Sequence, residues 1–248
     1  MEAGEACLYL FSACAFATLL WHPASPAQHW LPSDAVRRLL MGLAMGTTII
    51  AIVLTPWGKQ SGAHFNPAVT FTFYWLGKVA PWDTVYYCVG QLVGAVAGVA
   101  LASLVLNGAP AHRAVHYAAT VPGTYGVTVA FVAELAISFI LMSAVLFTTS
   151  HESLSAYTHY FAAALVALYI AFESPLSGMS TNPARTFGPA AYAGYWHALW
   201  IYFVAPPLGM LAAAEVLRQS GERKTLYCAK LHHHNSERCI FLNCPLRH

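Results

Sequence analysis

The tripeptide Asn-Pro-Ala occurs twice in the chain, as Asn66-Pro67-Ala68 and as Asn182-Pro183-Ala184. Asn is a favoured helix N-cap, and Pro is favoured at the first helical position because its missing N–H would have no partner within the helix. Each tripeptide therefore predicts the start of a helix. Because Ala is small, two such helix starts can approach each other closely. The repeat predicts two short helices that meet at their N-termini.

The apolar stretches around these tripeptides, residues 61–77 and 177–193, are too short and too interrupted by Gly and Pro to cross a bilayer. The residues that lead into the helix starts, 62–65 and 178–181, would be non-helical at membrane depth. Such backbone is tolerated only where it is buried in protein or lines a watery cavity. Paired, interrupted segments in the two halves of a membrane protein indicate a site near the midplane. We therefore expect two re-entrant half-helices that enter from opposite sides.

The composition indicates a membrane protein. Of the 248 residues, 58% are hydrophobic and 9% are charged, whereas about a quarter of a soluble globular chain is charged. Together with a mean hydropathy of +0.53, this excludes a disordered protein, a disulfide-stapled secreted module and a nucleic-acid binder. We expect an all-α membrane protein in contact with lipid. Six apolar stretches are long enough to span a bilayer: residues 4–22, 37–55, 84–106, 125–148, 157–173 and 196–217.

The basic residues predict the orientation. The segment that follows the sixth stretch is rich in Lys and Arg, and Lys59 and Lys78 would lie on the same side of the membrane. The opposite side would hold Arg37, Arg38 and Arg113. The positive-inside rule then places both termini in the cytoplasm, in a plasma or inner membrane.

The predicted meeting point of the half-helices suits a small neutral molecule. Each helix N-terminus carries roughly half a positive charge, and each Asn amide offers N–H donors. Loop carbonyls on either side would supply acceptors. Arg185 lies one turn beyond Asn182 and should face the path as a barrier to cations, whereas the matching residue of the first repeat is Val69. Water held by two donors cannot pass a proton along a chain of waters.

At these residues the chain resembles the aquaporin or major intrinsic protein family, over roughly residues 4–217. The resemblance implies six transmembrane helices and two re-entrant half-helices in an inverted repeat, with halves at about 1–106 and 125–217. It also implies a pore in each subunit of a homotetramer, passive conduction of water or small neutral solutes, no catalysis and no cofactor. Glu5 and Glu134 would anchor the two re-entrant loops by accepting their backbone N–H groups.

The resemblance also assigns four residues to the outer constriction of the pore: Met45, Ile170, Met179 and Arg185, with Gly46 as the alternative to Met45. Water-specific members have a histidine at the position of Ile170. Ile removes that donor and makes the constriction more apolar, as in members that pass glycerol, metalloid acids, urea or ammonia.

Other positions resemble water channels, namely Thr186, Ala190 and the pair Tyr202-Phe203. The two methionines are also long enough to refill the volume of the missing histidine. We therefore predict a channel that conducts water and excludes protons and ions. The alternatives are a wider neutral-solute channel and, more remotely, a non-conducting membrane-junction protein.

Two features leave more than one interpretation. His64 would either line the pore as a donor or fix its loop by a hydrogen bond, and it has no neighbouring nucleophile or carboxylate that would indicate an enzyme. The tail, residues 218–248, is interpreted as a disordered cytoplasmic segment. It contains the metal-ligand residue types Cys228, His232, His233, His234, Cys239 and Cys244, but their spacing matches no recognised site, so we predict no metal, with a weak site as the alternative.

Overall fold

The computed structural model describes residues 1–219, 226 and 228–244. The first half of the chain forms two long helices, two short ones and another long one, with a single-turn helix in the first connection. In chain order these are α1 (Glu2–Trp21), α2 (Ala27–Trp30), α3 (Asp34–Leu54), α4 (Pro56–Ser61), α5 (Pro67–Trp75) and α6 (Pro81–Val105).

The second half repeats this order. After two 3-10 turns at Ala109–Ala111 and His116–Ala118, the helices are α7 (Gly126–Thr149), α8 (Glu152–Ser155), α9 (Thr158–Phe172), α10 (Ser174–Ser177), α11 (Pro183–Ala193) and α12 (Leu199–Gln219). No strand occurs among the residues with a described conformation. The all-α architecture that the sequence predicts is confirmed.

Within the described residues, five helices are long and apolar enough to cross a membrane: α1, α3, α6, α7 and α12. The sixth apolar helix, α9, has 15 residues, which corresponds to about 22 Å at 1.5 Å per residue. It is therefore shorter than the predicted stretch 157–173 and shorter than an ordinary span. The half-helices α5 and α11 begin at the prolines of the two tripeptides, as predicted.

The two halves pack together through the half-helices. Within the halves, α1 packs on α6 and α7 packs on α12, while α3 packs on α9 across them. The half-helix α5 contacts α6 and α12, and α11 contacts the same two long helices. Each half-helix is therefore held by both halves of the chain, which fixes the position of both N-termini.

Glycines allow the closest helix contacts. A Cβ atom on Gly94 of α6 would lie 2.0 Å from the carbonyl oxygen of Ala3, and one on Gly98 would lie 2.3 Å from that of Cys7. Such distances leave no space for any side chain. This contact brings the first turn of α1 against α6, at the level of the first re-entrant loop.

The tail differs from the disordered segment that its composition predicts. Helix α12 continues to Gln219, and residues 228–244 form an irregular segment in which Ala229, Leu231 and Phe241 are buried. Composition misses this because the few apolar side chains of the segment are spaced along a polar sequence. Residues 220–225, 227 and 245–248, also within the predicted tail, lie outside the described residues.

Candidate functional site

Each half-helix is capped by the asparagine of its tripeptide. The side-chain oxygen of Asn66 accepts a hydrogen bond from the backbone N–H of Ala68 at 2.9 Å. Asn182 accepts from the N–H groups of Ala184 at 2.9 Å and Arg185 at 3.3 Å. The prediction that both asparagines are N-caps is confirmed. Pro67 and Pro183 are the first helical residues, and both alanines are buried.

The two helix starts are joined to each other by reciprocal hydrogen bonds. The Asn66 side-chain nitrogen donates to the carbonyl oxygen of Thr181 at 2.9 Å, and that of Asn182 donates to the carbonyl oxygen of Phe65 at 2.8 Å. An amide nitrogen carries two N–H donors. Each asparagine therefore has a second donor beyond this reciprocal bond, and both side chains line the same small cavity.

The loops before the half-helices have matching, unusual backbone conformations. In each loop, the residues one, three and four positions before the asparagine have positive φ angles. Such angles favour glycine, but only the residue four positions before the asparagine is a glycine. Strained conformations of this kind cost about 1–3 kcal/mol each and persist only where the surroundings hold them. The φ angles are 92°, 56° and 31° at Gly62, Ala63 and Phe65, and 81°, 51° and 53° at Gly178, Met179 and Thr181.

Glu134 holds the second loop. Its carboxylate accepts hydrogen bonds from the backbone N–H groups of Ser180 at 2.6 Å and Thr181 at 2.8 Å, and from the hydroxyl of Ser177 at 2.7 Å. The hydroxyl of Tyr202 donates to the carbonyl oxygen of Ser177. Because the Glu134 side chain is fully buried, these bonds replace those that water would supply.

The first loop corrects one prediction. Glu5 does not accept its backbone N–H groups but accepts the hydroxyl of Ser61 at 2.7 Å. The N–H groups of His64 and Phe65 donate instead to Glu2, at 3.0 and 2.7 Å. Glu2 and Glu5 lie one turn apart on the same face of α1, and the carboxylate nearer the helix start reaches deeper into the loop. The first half therefore uses two carboxylates where the second uses one.

Two acidic residues at a three-residue spacing in an apolar helix are expensive to bury, so the sequence indicates a shared role for Glu2 and Glu5 without indicating which of them accepts the loop N–H groups. The side chain of Gln91 from α6 supports Glu2 by donating to its carboxylate. The close contact of α6 with α1 thus contributes directly to the loop geometry.

An outer cavity of about 510 Å³ lies on one side of the joined helix starts. All four residues assigned to the constriction line it: Met45, Ile170, Met179 and Arg185. Gly46 faces helix α9 instead, because a Cβ atom there would lie 3.1 Å from the carbonyl oxygen of Ala163. The guanidinium of Arg185 donates to the carbonyl oxygen of Ala118 at 2.6 Å, which positions it at the cavity wall.

On the other side lies an inner cavity of about 50 Å³. Its lining includes both asparagines, Val69 and His64, and also Leu231 of the tail. The Nε2 atom of His64 lies 2.8 Å from the carbonyl oxygen of Ala229, to which it donates. Its Nδ1 atom lies 3.1 Å from the hydroxyl oxygen of Thr70. His64 therefore borders the cavity while both ring nitrogens are engaged with protein atoms.

Residues at two of the water-channel-like positions support the second loop. The hydroxyl of Thr186 pairs with those of Thr120 at 2.7 Å and Ser180 at 2.6 Å, and Tyr202 is the residue bonded to Ser177. Both side chains are buried. Their contacts make them positioning residues for the loop rather than part of the cavity wall.

Comparisons with known proteins identify the family of the chain. The sequence model of the major intrinsic protein family matches residues 2–217. A probable aquaporin NIP-type of Nicotiana alata is 35% identical over 171 residues, covering 68% of this chain and 61% of the relative. Aquaporin NIP1-1 of Oryza sativa subsp. japonica is 31% identical over 207 residues, covering 83% of this chain and 67% of the relative. The chain thus matches about three fifths to two thirds of these relatives' length.

A solved structure is similar in fold. The aquaglyceroporin from Plasmodium falciparum superposes with a TM-score of 0.67 over 87% of this chain and 92% of its own, at 21% sequence identity. The family match covers every helix from α1 to α11 and nearly all of α12. The chain therefore belongs to the major intrinsic protein family, whose members are channels and not enzymes, and it is an integral membrane protein of the aquaporin fold.

Proposed function

We propose that the protein is a passive channel that conducts water through a pore in each subunit and excludes protons and ions. The observation that carries this proposal is the pair of reciprocal bonds between Asn66 and Asn182 and the opposite loops. They join two helix N-termini, and so two partial positive charges, at one point between two cavities.

This arrangement favours a neutral molecule that accepts hydrogen bonds. A cation approaching the joined helix starts meets two positive dipole ends and, from the outer side, the guanidinium of Arg185. A water molecule accepts a bond from the second N–H of either asparagine. A water that accepts from both has its hydrogens directed away from the centre, so a proton cannot be relayed through it.

A wider range of neutral solutes is the second candidate. It is favoured by the outer constriction, where three apolar side chains, Met45, Ile170 and Met179, face one donor, Arg185. Such a wall suits molecules with an apolar and a polar face, such as glycerol or urea. The similar proteins include NIP-type aquaporins and an aquaglyceroporin, which allows this candidate as well.

We also propose an orientation in the membrane and a number of subunits. Both termini would lie in the cytoplasm of a plasma or inner membrane, because the basic residues of the tail and of the connection between α3 and α6 share one side. Four subunits would associate as a homotetramer in lipid. Mass measurement of the purified protein in detergent tests the number of subunits.

The selectivity is tested in liposomes that contain the full chain. We would record light scattering after an impermeant osmolyte gradient and after a glycerol gradient, with and without a metal chelator, and against empty vesicles. Fast shrinkage without glycerol re-swelling supports a water channel. Re-swelling in glycerol supports the second candidate, and no acceleration in any condition contradicts both.

The variant Ile170→His separates the two candidates at the level of the constriction. Histidine narrows the outer cavity and adds a donor beside Arg185. If the wild-type protein passes glycerol, the variant is expected to lose most glycerol flux while it keeps water flux. Unchanged glycerol flux in the variant would show that Ile170 is not part of the constriction.

A further inference from the structure

Four side chains of the tail converge at one point. The thiols of Cys228, Cys239 and Cys244 and a ring nitrogen of His233 all lie within 4.8 Å of one another. The sulfur atoms of Cys228 and Cys239 are 3.3 Å apart, and His233 Nε2 is 3.1 Å from the sulfur of Cys244. The three cysteines are buried. The sequence predicts no metal here, because the spacing of these residues matches no recognised pattern.

Three thiolates and one imidazole form a common ligand set for structural zinc. Zinc binds sulfur at about 2.3 Å and histidine nitrogen at about 2.0 Å in a tetrahedron, which places the ligand atoms about 3.5–3.8 Å from one another. The observed separations include 3.1 and 3.3 Å and reach no further than 4.8 Å, so they bracket this range. Soft thiolate ligands favour zinc over calcium or magnesium, and four protein ligands leave no open position for catalysis.

The segment that carries the cluster has no regular secondary structure to stabilise its conformation. Residues 228–244 contain no helix or strand. Small irregular segments commonly depend on a metal ion or a cross-link for a fixed structure, and their metal-binding free energy then becomes folding free energy. A metal at this point would explain why three cysteines are buried in an otherwise polar segment.

The same segment covers the inner side of the half-helix site. The carbonyl oxygen of Ala229 accepts from His64 at 2.8 Å, and the N–H of Leu231 donates to the carbonyl oxygen of Gly62 at 3.1 Å. The ring of Phe241 stacks on that of His64, with centroids 5.4 Å apart. Leu231 also lines the inner cavity. The tail thus contacts the first re-entrant loop and borders the inner cavity beside the joined helix starts.

The cluster and these contacts are interleaved along the chain. Cys228 directly precedes Ala229, while Cys239 and Cys244 lie on either side of Phe241. Additional bonds attach the same segment to the channel: Leu242 N–H donates to the carbonyl oxygen of Lys78 at 2.8 Å. Anything that holds the four side chains together therefore holds both contact segments against the inner mouth.

We propose that Cys228, His233, Cys239 and Cys244 bind a zinc ion that folds the tail into a lid over the inner mouth of the pore, so that loss of the ion opens the channel. The zinc site is inferred from the geometry of the four side chains alone. The effect of the lid on conduction rests on the proposed channel function. The role of the ion is structural, and it takes part in no chemical reaction.

The metal is tested first, on the full-length protein purified in detergent without chelator. Elemental analysis is expected to find about one zinc ion per chain. The double variant Cys239→Ser, Cys244→Ser is expected to lose nearly all of it. The control is Cys88→Ser, which removes a cysteine on α6 outside the cluster and should retain the zinc. His233→Ala should also lose zinc, whereas its neighbour variant His234→Ala should retain it.

The lid is tested by water flux in liposomes that contain the same proteins. Treatment of the wild-type protein with a membrane-permeant zinc chelator is expected to raise water permeability several-fold, and added zinc should reverse the effect. The double cysteine variant should conduct without chelator and should not respond to zinc. Because the chelator acts on wild-type protein that has already folded, the result does not depend on the stability of a variant.

Three other outcomes would each refute a stated part of the proposal: the metal site, the lid or the channel function. A purified protein without zinc, whose mass shows a disulfide between Cys228 and Cys239, would refute the metal site. Zinc that is bound and can be removed without change in a measurable flux would refute the lid. Zinc that is bound, together with no flux before or after its removal, would refute the channel proposal and the lid while supporting the metal site.

Discussion

Buried carboxylates hold the two strained loops, and the first half of the chain uses two of them where the second half uses one. Glu134 alone accepts two backbone N–H groups and one hydroxyl, whereas Glu5 accepts one hydroxyl and Glu2 accepts the N–H groups. A buried N–H left without a partner costs about 1–3 kcal/mol. Glu134→Ala should therefore destabilise the protein by about 3–5 kcal/mol, and Glu5→Ala by much less, as measured by thermal unfolding in detergent.

Glu2→Ala provides the matched comparison, since it leaves the same number of loop N–H groups without their acceptor as Glu134→Ala does. We expect its unfolding temperature to fall nearly as far as that of Glu134→Ala. Equal effects of Glu5→Ala and Glu134→Ala would contradict the division of roles.

Arg185 is the one charged residue among the four that line the constriction. Arg185→Val should admit larger neutral solutes and allow a measurable cation leak, because the wall then loses both its bulk and its charge. Solute re-swelling and ion leak from zinc-free proteoliposomes measure both effects. Arg38→Val is the control, because Arg38 lines the same outer cavity but is paired with Asp34. An unchanged solute ranking in Arg185→Val would remove Arg185 from the filter.

At the scale of residues, the sequence predicts the N-caps well. The reason is that a cap depends only on hydrogen bonds within the first helix turn, which begins at the Asn-Pro-Ala tripeptide. The sequence does not predict that Glu2 is the loop anchor. That role depends on how α1 is rotated and how far it extends past the loop, and both follow from the close contact between Gly94 and Ala3.

At the scale of the helices, the contact between α1 and α6 is the one that aligns the first loop. Gly94→Ala places a Cβ atom 2.0 Å from the carbonyl oxygen of Ala3, and the required separation of the helices should cost about 1–3 kcal/mol. It should also displace Glu2 from the loop and lower water flux. Unfolding temperature and stopped-flow permeability measure the two effects.

Gly90→Ala is the control on the same helix. A Cβ atom there would meet its nearest neighbour at 3.7 Å, an ordinary contact, and Ala is a better helix former than Gly by about 1 kcal/mol. Gly90→Ala should therefore be neutral or stabilising. Similar losses in both variants would mean that helix propensity, and not the contact with Ala3, governs the effect.

Hydropathy predicts the long helices to within a few residues, because bilayer thickness imposes the length of an apolar run. For α9 the predicted stretch 157–173 agrees with the helix Thr158–Phe172 to within one residue at each end. The short length of this helix is therefore already visible in the sequence, because the apolar run ends where the chain turns into α10 and the second re-entrant loop.

At the scale of the whole molecule, the protein has an open outer cavity of about 510 Å³ and an inner cavity of about 50 Å³ bordered by the tail. Sequence could not reveal this asymmetry. The four cluster side chains lie several residues apart along an irregular segment, and they come together only in the folded segment, which packs against the first loop, α4 and α8. The repeat predicts two similar halves, and the tail makes the two sides of the pore different.

The central claim is that the joined helix starts conduct water while they block protons. The most direct measurement uses proteoliposomes treated with a zinc chelator and loaded with a pH-sensitive dye, in which shrinkage under an osmotic gradient and proton entry under a pH gradient are recorded on the same preparation. We predict water flux far above that of empty vesicles and proton entry equal to theirs. Proton entry that rises with water flux, or no water flux from folded, zinc-free protein, would contradict the account.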